Sequence, residues 1–137
     1  MSNLPTAKSL PAGASQHTTA GPYSPVLIVQ PGEIVVISGQ AAIDPDGNVT
    51  GKTIDEQATL TLENCRQQLA TAGCTFDDVF KVNVYLTDLD NWPRFNEVYA
   101  RAMPEPRPVR TAIGTQLLDG LLVEVEMWAV RAVPSDE

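Results

Sequence analysis

The stretch LLVEVEMWAV, residues 121–130, constrains the fold of this chain more than any other. Leu121, Val123, Val125, Met127 and Ala129 alternate with Leu122, Glu124, Glu126, Trp128 and Val130. Residues two apart share one face of a strand, so a strand here turns an apolar face to a core. Its other face mixes carboxylates with Leu, Trp and Val. Such a surface is neither a core nor an ordinary solvent face, and it suits subunit packing around a polar site. An oligomer is therefore expected.

The remaining elements follow from period and punctuation. YSPVLIV and EIVVISGQA read as two strands of an antiparallel hairpin, split by the Pro-Gly turn signal in QPGE. Thr53 and Glu56 have capping-box spacing. Ile54, Ala58, Leu62, Cys65 and Leu69 then repeat at helical spacing, and Gly73 is placed to end the helix. In DDVFKVNVYLTDL, Phe80, Val82, Val84 and Leu86 alternate with Lys81, Asn83 and Tyr85, which is a strand pattern. Pro93 suits the first turn of a second, shorter helix in NWPRFNEVYARAM, and Asp88 to Asp90 read as the solvated run leading into it. VRTAIGTQL and the last strand close the chain. The order strand, strand, helix, strand, helix, strand, strand predicts an α+β fold, a mixed and mainly antiparallel sheet with two helices packed on one face. The 137 residues fit a single domain, 1–137, with residues 1–20 as an extended N-terminal arm.

Composition narrows the partners. Nine Lys and Arg stand against 17 Asp and Glu, for a formal charge of −8, so the chain lacks the basic surface that nucleic acid or an anionic membrane requires. A small anionic metabolite is still within reach of one arginine. No apolar run approaches the ~20 residues of a membrane span, and the first 21 residues lack the apolar core of a signal peptide, so a cytoplasmic location is expected. Cys65 and Cys74 have no metal-ligand spacing and read as reduced thiols, Cys65 in the helix core. No metal or cofactor is expected.

In PVRTAIGTQ, residues 108–116, Arg110 shares a strand face with Ala112, Gly114 and Gln116. A planar guanidinium there can grip a carboxylate through two parallel charge-assisted hydrogen bonds. It can equally pair with Glu124 or Glu126 across neighbouring strands, a structural role. Arg107 reads as a solvated charge, Trp92 and Trp128 as packing, and His17 as an exposed residue of the arm.

GPYS (21–24), SGQ (38–40), PVRT (108–111) and VEVE (123–126) occur in this order, with AGCTFDDVFKVNVYLTDL and FNEVY between them. Together they resemble the Rid family, the YjgF-like proteins, from about Gly21 to Val130. The resemblance implies a chorismate-mutase-like fold, a homotrimer with a cleft at each subunit interface, and hydrolysis of 2-imino acids such as 2-iminobutanoate and 2-iminopropanoate to 2-oxo acids and ammonia. It implies that Arg110 clamps the substrate carboxylate and that Glu124 positions the attacking water, as a carboxylate within hydrogen-bond reach can. Tyr23, Ser38, Gly39, Asn96 and Ala112 would line the cleft. Ala112 stands where many members carry Cys, so no thiol role is carried over. The loop before Arg110 and the connection from Gly114 to Glu124 are shorter than in typical members, and Trp128 replaces a small or aliphatic residue, differences that bear on cleft shape. Two alternatives remain: a non-catalytic trimer that binds a 2-oxo acid-like metabolite or a protein client, and RNA hydrolysis, which the acidic balance disfavours.

Overall fold

A four-stranded sheet in the order β3-β6-β4-β5 organises the chain, in a computed structural model that describes residues 7–132. Its strands are β3 (Glu33–Gln40), β4 (Val79–Leu86), β5 (Val109–Gly114) and β6 (Val123–Arg131). β6 runs antiparallel to both β3 and β4, and β4 runs parallel to β5. α1 (Ile54–Thr71) and α2 (Trp92–Ala102) pack on one face, α1 over β6 and β3 and against α2. This is the expected α+β layout. The expected first six residues of the arm lie outside the described residues.

The helices form for the reasons their sequences announce. Thr53 Oγ1 accepts from the Glu56 amide while the Glu56 carboxylate accepts from the Thr53 amide, and Ile54, Ala58, Leu62, Cys65 and Leu69 are all buried. Gly73, at φ +76°, follows the last turn. In α2, Pro93 occupies the first turn, and Asp88 caps the short 3-10 turn that precedes it. On β6, Val123, Val125, Met127 and Ala129 are buried in the core, which fixes which face of the sheet is inward, and Leu121 is buried just before the strand begins.

Two expectations need correction. The hairpin between YSPVLIV and EIVVISGQA does not form. Only Ile28–Val29 of the first segment is strand, β2, and it pairs with β1 (Lys8–Ser9) of the arm in a separate two-stranded sheet. Pro25 and Pro31 bring no N–H donors to a longer ladder. β3 instead takes β6 as its neighbour, and Gly32 passes so close to the end of β6 that a Cβ would stand 2.4 Å from the Arg131 carbonyl. In β4 the register shifts between Val79 and Lys81, so Val79 enters the core and Phe80 is only half-buried, contrary to simple alternation.

The arm is anchored more firmly than an extended loop would be. Lys8 is 2 % exposed, and its ammonium donates to the carbonyl of Val79 at the start of β4. On the other side of the core, Gln57 of α1 donates to the carbonyls of Gly51 (3.1 Å) and Gly120 (2.8 Å) and accepts from the Leu122 amide (2.8 Å). That one buried amide ties two loops to the helix just before β6 begins.

Candidate functional site

Arg110 lies in the row Ile37, Met127, Val82, Arg110, which runs across all four strands on the face under the helices. It is therefore a buried arginine, 9 % exposed, and forms no ion pair with Glu124 or Glu126. The cross-strand pairing left open by the sequence does not occur. Glu124 and Glu126 face the opposite side of the sheet, in rows with Tyr85 and Ile113 and with Asn83 and Thr111.

Aromatic rings enclose the guanidinium. Its carbon is 4.8 Å from the ring centroid of Tyr99, 4.9 Å from Tyr23, 5.5 Å from Trp92 and 5.9 Å from Phe95. Trp92, Phe95 and Tyr99 come from one face of α2 at helical spacing, and Asn96 shares that face. Tyr23 arrives because the Ser24 amide donates to the Pro108 carbonyl (3.1 Å) and its hydroxyl to that of Arg107, which ties GPYS along the free edge of β5. The π faces attract the cation but cannot accept in-plane N–H bonds. All three guanidinium nitrogens, Nε, Nη1 and Nη2, are buried without a hydrogen-bond partner among the described residues, and so are Asn96 Oδ1 and the Tyr99 hydroxyl.

Burial pulls the Arg110 pKa down, partly offset by Tyr99 and Tyr23, and pushes the Tyr99 phenol up. A guanidinium stays charged at any ordinary pH, so its desolvation is a cost stored in the site. Its charge and unpaired N–H groups are complementary to an anion. A cavity of about 250 Å³ shares Gly21 and Tyr23 with this cluster and is otherwise lined by Leu10, Ser24, Pro25 and residues 105–107, without Arg110. Larger cavities lie between α1 and α2, about 520 Å³, and beside Gln40 and Asn64, about 660 Å³, and Arg110 lines neither of these.

A second polar cluster occupies the open face of the sheet. Gly39 sits in a bulge of β3, between Ile37 and Gln40, directly against the Glu124 carboxylate. Glu126 Oε1 accepts from Asn83 Nδ2 (3.2 Å) and from the Tyr85 hydroxyl, and this hydrogen bond, followed by burial, raises the Tyr85 phenol above its ordinary pKa. Among the described residues, the Glu124 carboxylate accepts no side-chain hydrogen bond of this kind. Ser38, in the same bulge, is exposed. Exposed Ile34 and Val36 of β3 and Ile113 of β5 surround this polar patch.

The sequence-derived site residues thus fall into two groups within one chain. Tyr23, Asn96 and Arg110 meet under α2, with Ala112 two residues along the same strand face. Ser38, Gly39 and Glu124 meet on the far side of the sheet. Arg107 pairs with Glu105 (3.2 Å) and donates to the Ala100 carbonyl, and His17 is exposed and bonded to Thr19. Gly21, Trp92, Phe95 and Tyr99 are site residues that sequence reasoning missed. The i, i+3, i+4, i+7 spacing of Trp92, Phe95, Asn96 and Tyr99, one amide among three aromatics, is the signal that would have found them.

Neither group includes a cluster of metal-ligating side chains among the described residues. Cys65 is pushed up to about 12 by burial and is inert as a nucleophile, and Cys74 is also raised by burial. Among the described residues no helix is long and apolar enough to cross a membrane.

A mixed sheet with both helices on one face, carrying a desolvated arginine at its edge strand, places the chain among small α+β proteins of chorismate-mutase-like layout. The chain belongs to the YjgF/RutC/Rid family: the family model described as "Endoribonuclease L-PSP" matches residues 14–131. It is 40% identical over 104 residues to the mitochondrial protein mmf2 of Schizosaccharomyces pombe, covering 76% of this chain and 80% of that protein. A RutC family protein of Pyrococcus abyssi is 37% identical over 113 residues, 81% of this chain and 87% of its own length. The crystal structure of RidA from the Antarctic bacterium Psychrobacter sp. PAMC 21119 superposes with a TM-score of 0.69 at 34% identity, covering 83% of this chain and 92% of that one.

Proposed function

We propose that this chain hydrolyses 2-imino acids, such as 2-iminobutanoate and 2-iminopropanoate, to 2-oxo acids and ammonia. The observation that carries the reading is the buried Arg110 guanidinium with no acceptor for its N–H groups. A carboxylate is the group that matches it in charge and in planar geometry. Arg110 would hold the substrate carboxylate, with Tyr23 and the α2 aromatics around the carbon skeleton and Ala112 leaving room beside it. Glu124 would direct a water to the electrophilic C2, a role for which a carboxylate free of internal hydrogen bonds is suited. An iminium carbon is activated already, so the reaction requires neither a metal nor a covalent nucleophile.

Glu124 cannot reach a ligand on Arg110 of the same chain, because β4 lies between their strands and they face opposite sides of the sheet. The proposal therefore includes a homotrimer in which the Glu124, Ser38 and Gly39 face of one copy meets the Arg110 edge of the next. The apolar rim of Ile34, Val36 and Ile113 around that face supports such packing. We place the activity in the cytoplasm, and the mitochondrial protein mmf2 is a relative named for another compartment.

The same separation favours a second reading, a binder of 2-oxo acid-like carboxylates that has the arginine clamp but never brings a carboxylate to the water. The "endoribonuclease" description of the family draws no support from a chain of formal charge −8. The deciding assay couples a threonine dehydratase to the purified protein and follows 2-oxobutanoate formation, with semicarbazide trapping the free imine. Acceleration that disappears in Arg110→Ala and in Glu124→Gln supports hydrolysis. Carboxylate binding lost in Arg110→Ala, with no acceleration by the wild type, would select the binder.

A further inference from the structure

We propose that Arg107 sets the substrate class: it holds a second, distal carboxylate, so that the preferred substrates are 2-imino diacids whose first carboxylate rests on Arg110. The inference rests on the carboxylate reading of Arg110 given above and deepens it. A clamp for one carboxylate needs one guanidinium, and this edge of the sheet carries two.

Arg107 lies in the loop that leads into β5, and its side chain is 28 % exposed. Its donors are poorly used. Nε is buried without a partner among the described residues, Nη2 reaches the Ala100 carbonyl only at 3.4 Å, and Nη1 meets Glu105 at 3.2 Å. The Glu105 side chain is 77 % exposed, so this ion pair is screened by solvent and weak. Both residues line the cavity of about 250 Å³, and the Glu105 carboxylate therefore stands in for an anion that a ligand can bring. That cavity adjoins the Arg110 cluster, since Gly21 and Tyr23 belong to both. A Cβ on Gly21 would lie 3.1 Å from Tyr23 Cε2 and 3.3 Å from Arg110 Nη2, so glycine keeps the join between the two spaces open. Burial raises the Tyr99 phenol, and Arg110 and then Arg107 oppose that shift, which puts both guanidiniums within electrostatic reach of one hydroxyl. Leu10, Pro25 and Pro106 supply apolar wall for the methylenes between two carboxylates.

A monocarboxylate such as 2-iminobutanoate engages Arg110 alone and leaves Arg107 to Glu105. A 2-imino diacid carries its second carboxylate into the cavity and displaces Glu105 into water, where an exposed carboxylate is readily hydrated. The exchange replaces a screened surface pair by charge-assisted hydrogen bonds to a guanidinium with unused donors. The distal carboxylate takes no part in bond making at C2, so the hydrolysis itself is unchanged and the gain is in binding.

2-Oxoglutarate and 2-oxopentanoate test this without turnover, since they share one 2-oxo acid chain and differ only in the carboxylate or methyl group at its far end. Each is titrated calorimetrically into the wild type, Arg107→Gln, Glu105→Gln and Arg110→Ala. The wild type should bind 2-oxoglutarate about tenfold more tightly than 2-oxopentanoate, the scale of one charge-assisted hydrogen bond. Arg107→Gln should bring the two acids within about twofold. Glu105→Gln, which removes the competing carboxylate, should widen the preference beyond the wild-type ratio. A purely structural role for Arg107 at the end of α2 would weaken both acids together and keep their ratio, and that result overturns the assignment. Equal affinities in the wild type, both lost in Arg110→Ala, also overturn it and leave the carboxylate site standing. No binding of either acid overturns both readings. The wild-type comparison needs no variant to fold.

Discussion

A Cβ built on Gly39 would stand 2.2 Å from Oε2 of Glu124 and 2.9 Å from its Cδ. The bulge of β3 and the carboxylate of β6 are thus fitted to each other, and the missing side chain at position 39 makes room for the acid. In Gly39→Ala the carboxylate swings aside, at little cost to the fold because its flexible end does the moving. Stability should change by less than about 1 kcal/mol. Imine hydrolysis should fall by about 10² or more, as in Glu124→Gln. Thermal melts beside the dehydratase-coupled assay check both; full activity in Gly39→Ala would remove Glu124 from the chemistry.

Arg110 destabilises the chain that it equips. Replacing it with Met keeps the bulk among four rings and removes an uncompensated buried charge. The unliganded protein should gain about 1–2 kcal/mol after loss of the cation–π attraction. Carboxylate binding should vanish. Urea unfolding with and without 2-oxobutanoate separates the effects: the wild type gains stability from the ligand and Arg110→Met does not.

Lys8 makes stability rise with pH in an alkaline window. Burial lowers its pKa from 10.5 to about 8, with Asp77 and Asp78 opposing the shift. Below pH 8 it is protonated folded and unfolded, and the desolvation cost is carried in full. Between pH 8 and 10.5 the unfolded chain binds more protons, so stability increases with pH, by about 2 kcal/mol from pH 8 to 10. Unfolding midpoints across that range should climb in the wild type and climb by correspondingly less in Lys8→Met.

Gln57 holds three backbone groups, so Gln57→Leu strands the carbonyls of Gly51 and Gly120 and the amide of Leu122 together. A loss of about 2–4 kcal/mol is expected, measurable by denaturant titration. Amide exchange should quicken at Leu122 before it does in the centre of β6.

Much of this protein is legible without coordinates. The capping box of Thr53 and Glu56 fixes where α1 begins, its apolar repeat fixes the face that packs, and strict alternation from Leu121 to Ala129 fixes the inner face of β6. These are local properties, set by backbone periodicity and by which side chains water rejects. Arg110 and its neighbours on PVRT and VEVE stand out for the same reason, as charges set in strands. Alternation says that two residues share a face but not what covers it. Only the tertiary structure put Arg110 under α2, closed four rings around it and left its donors and the Asn96 oxygen without partners. It also paired the arm with Ile28–Val29 instead of forming the hairpin, and set Glu124 on the side of the sheet away from Arg110. Those outcomes depend on contacts between segments far apart in the chain, where prolines, bulges and competition for strand edges decide which surfaces meet.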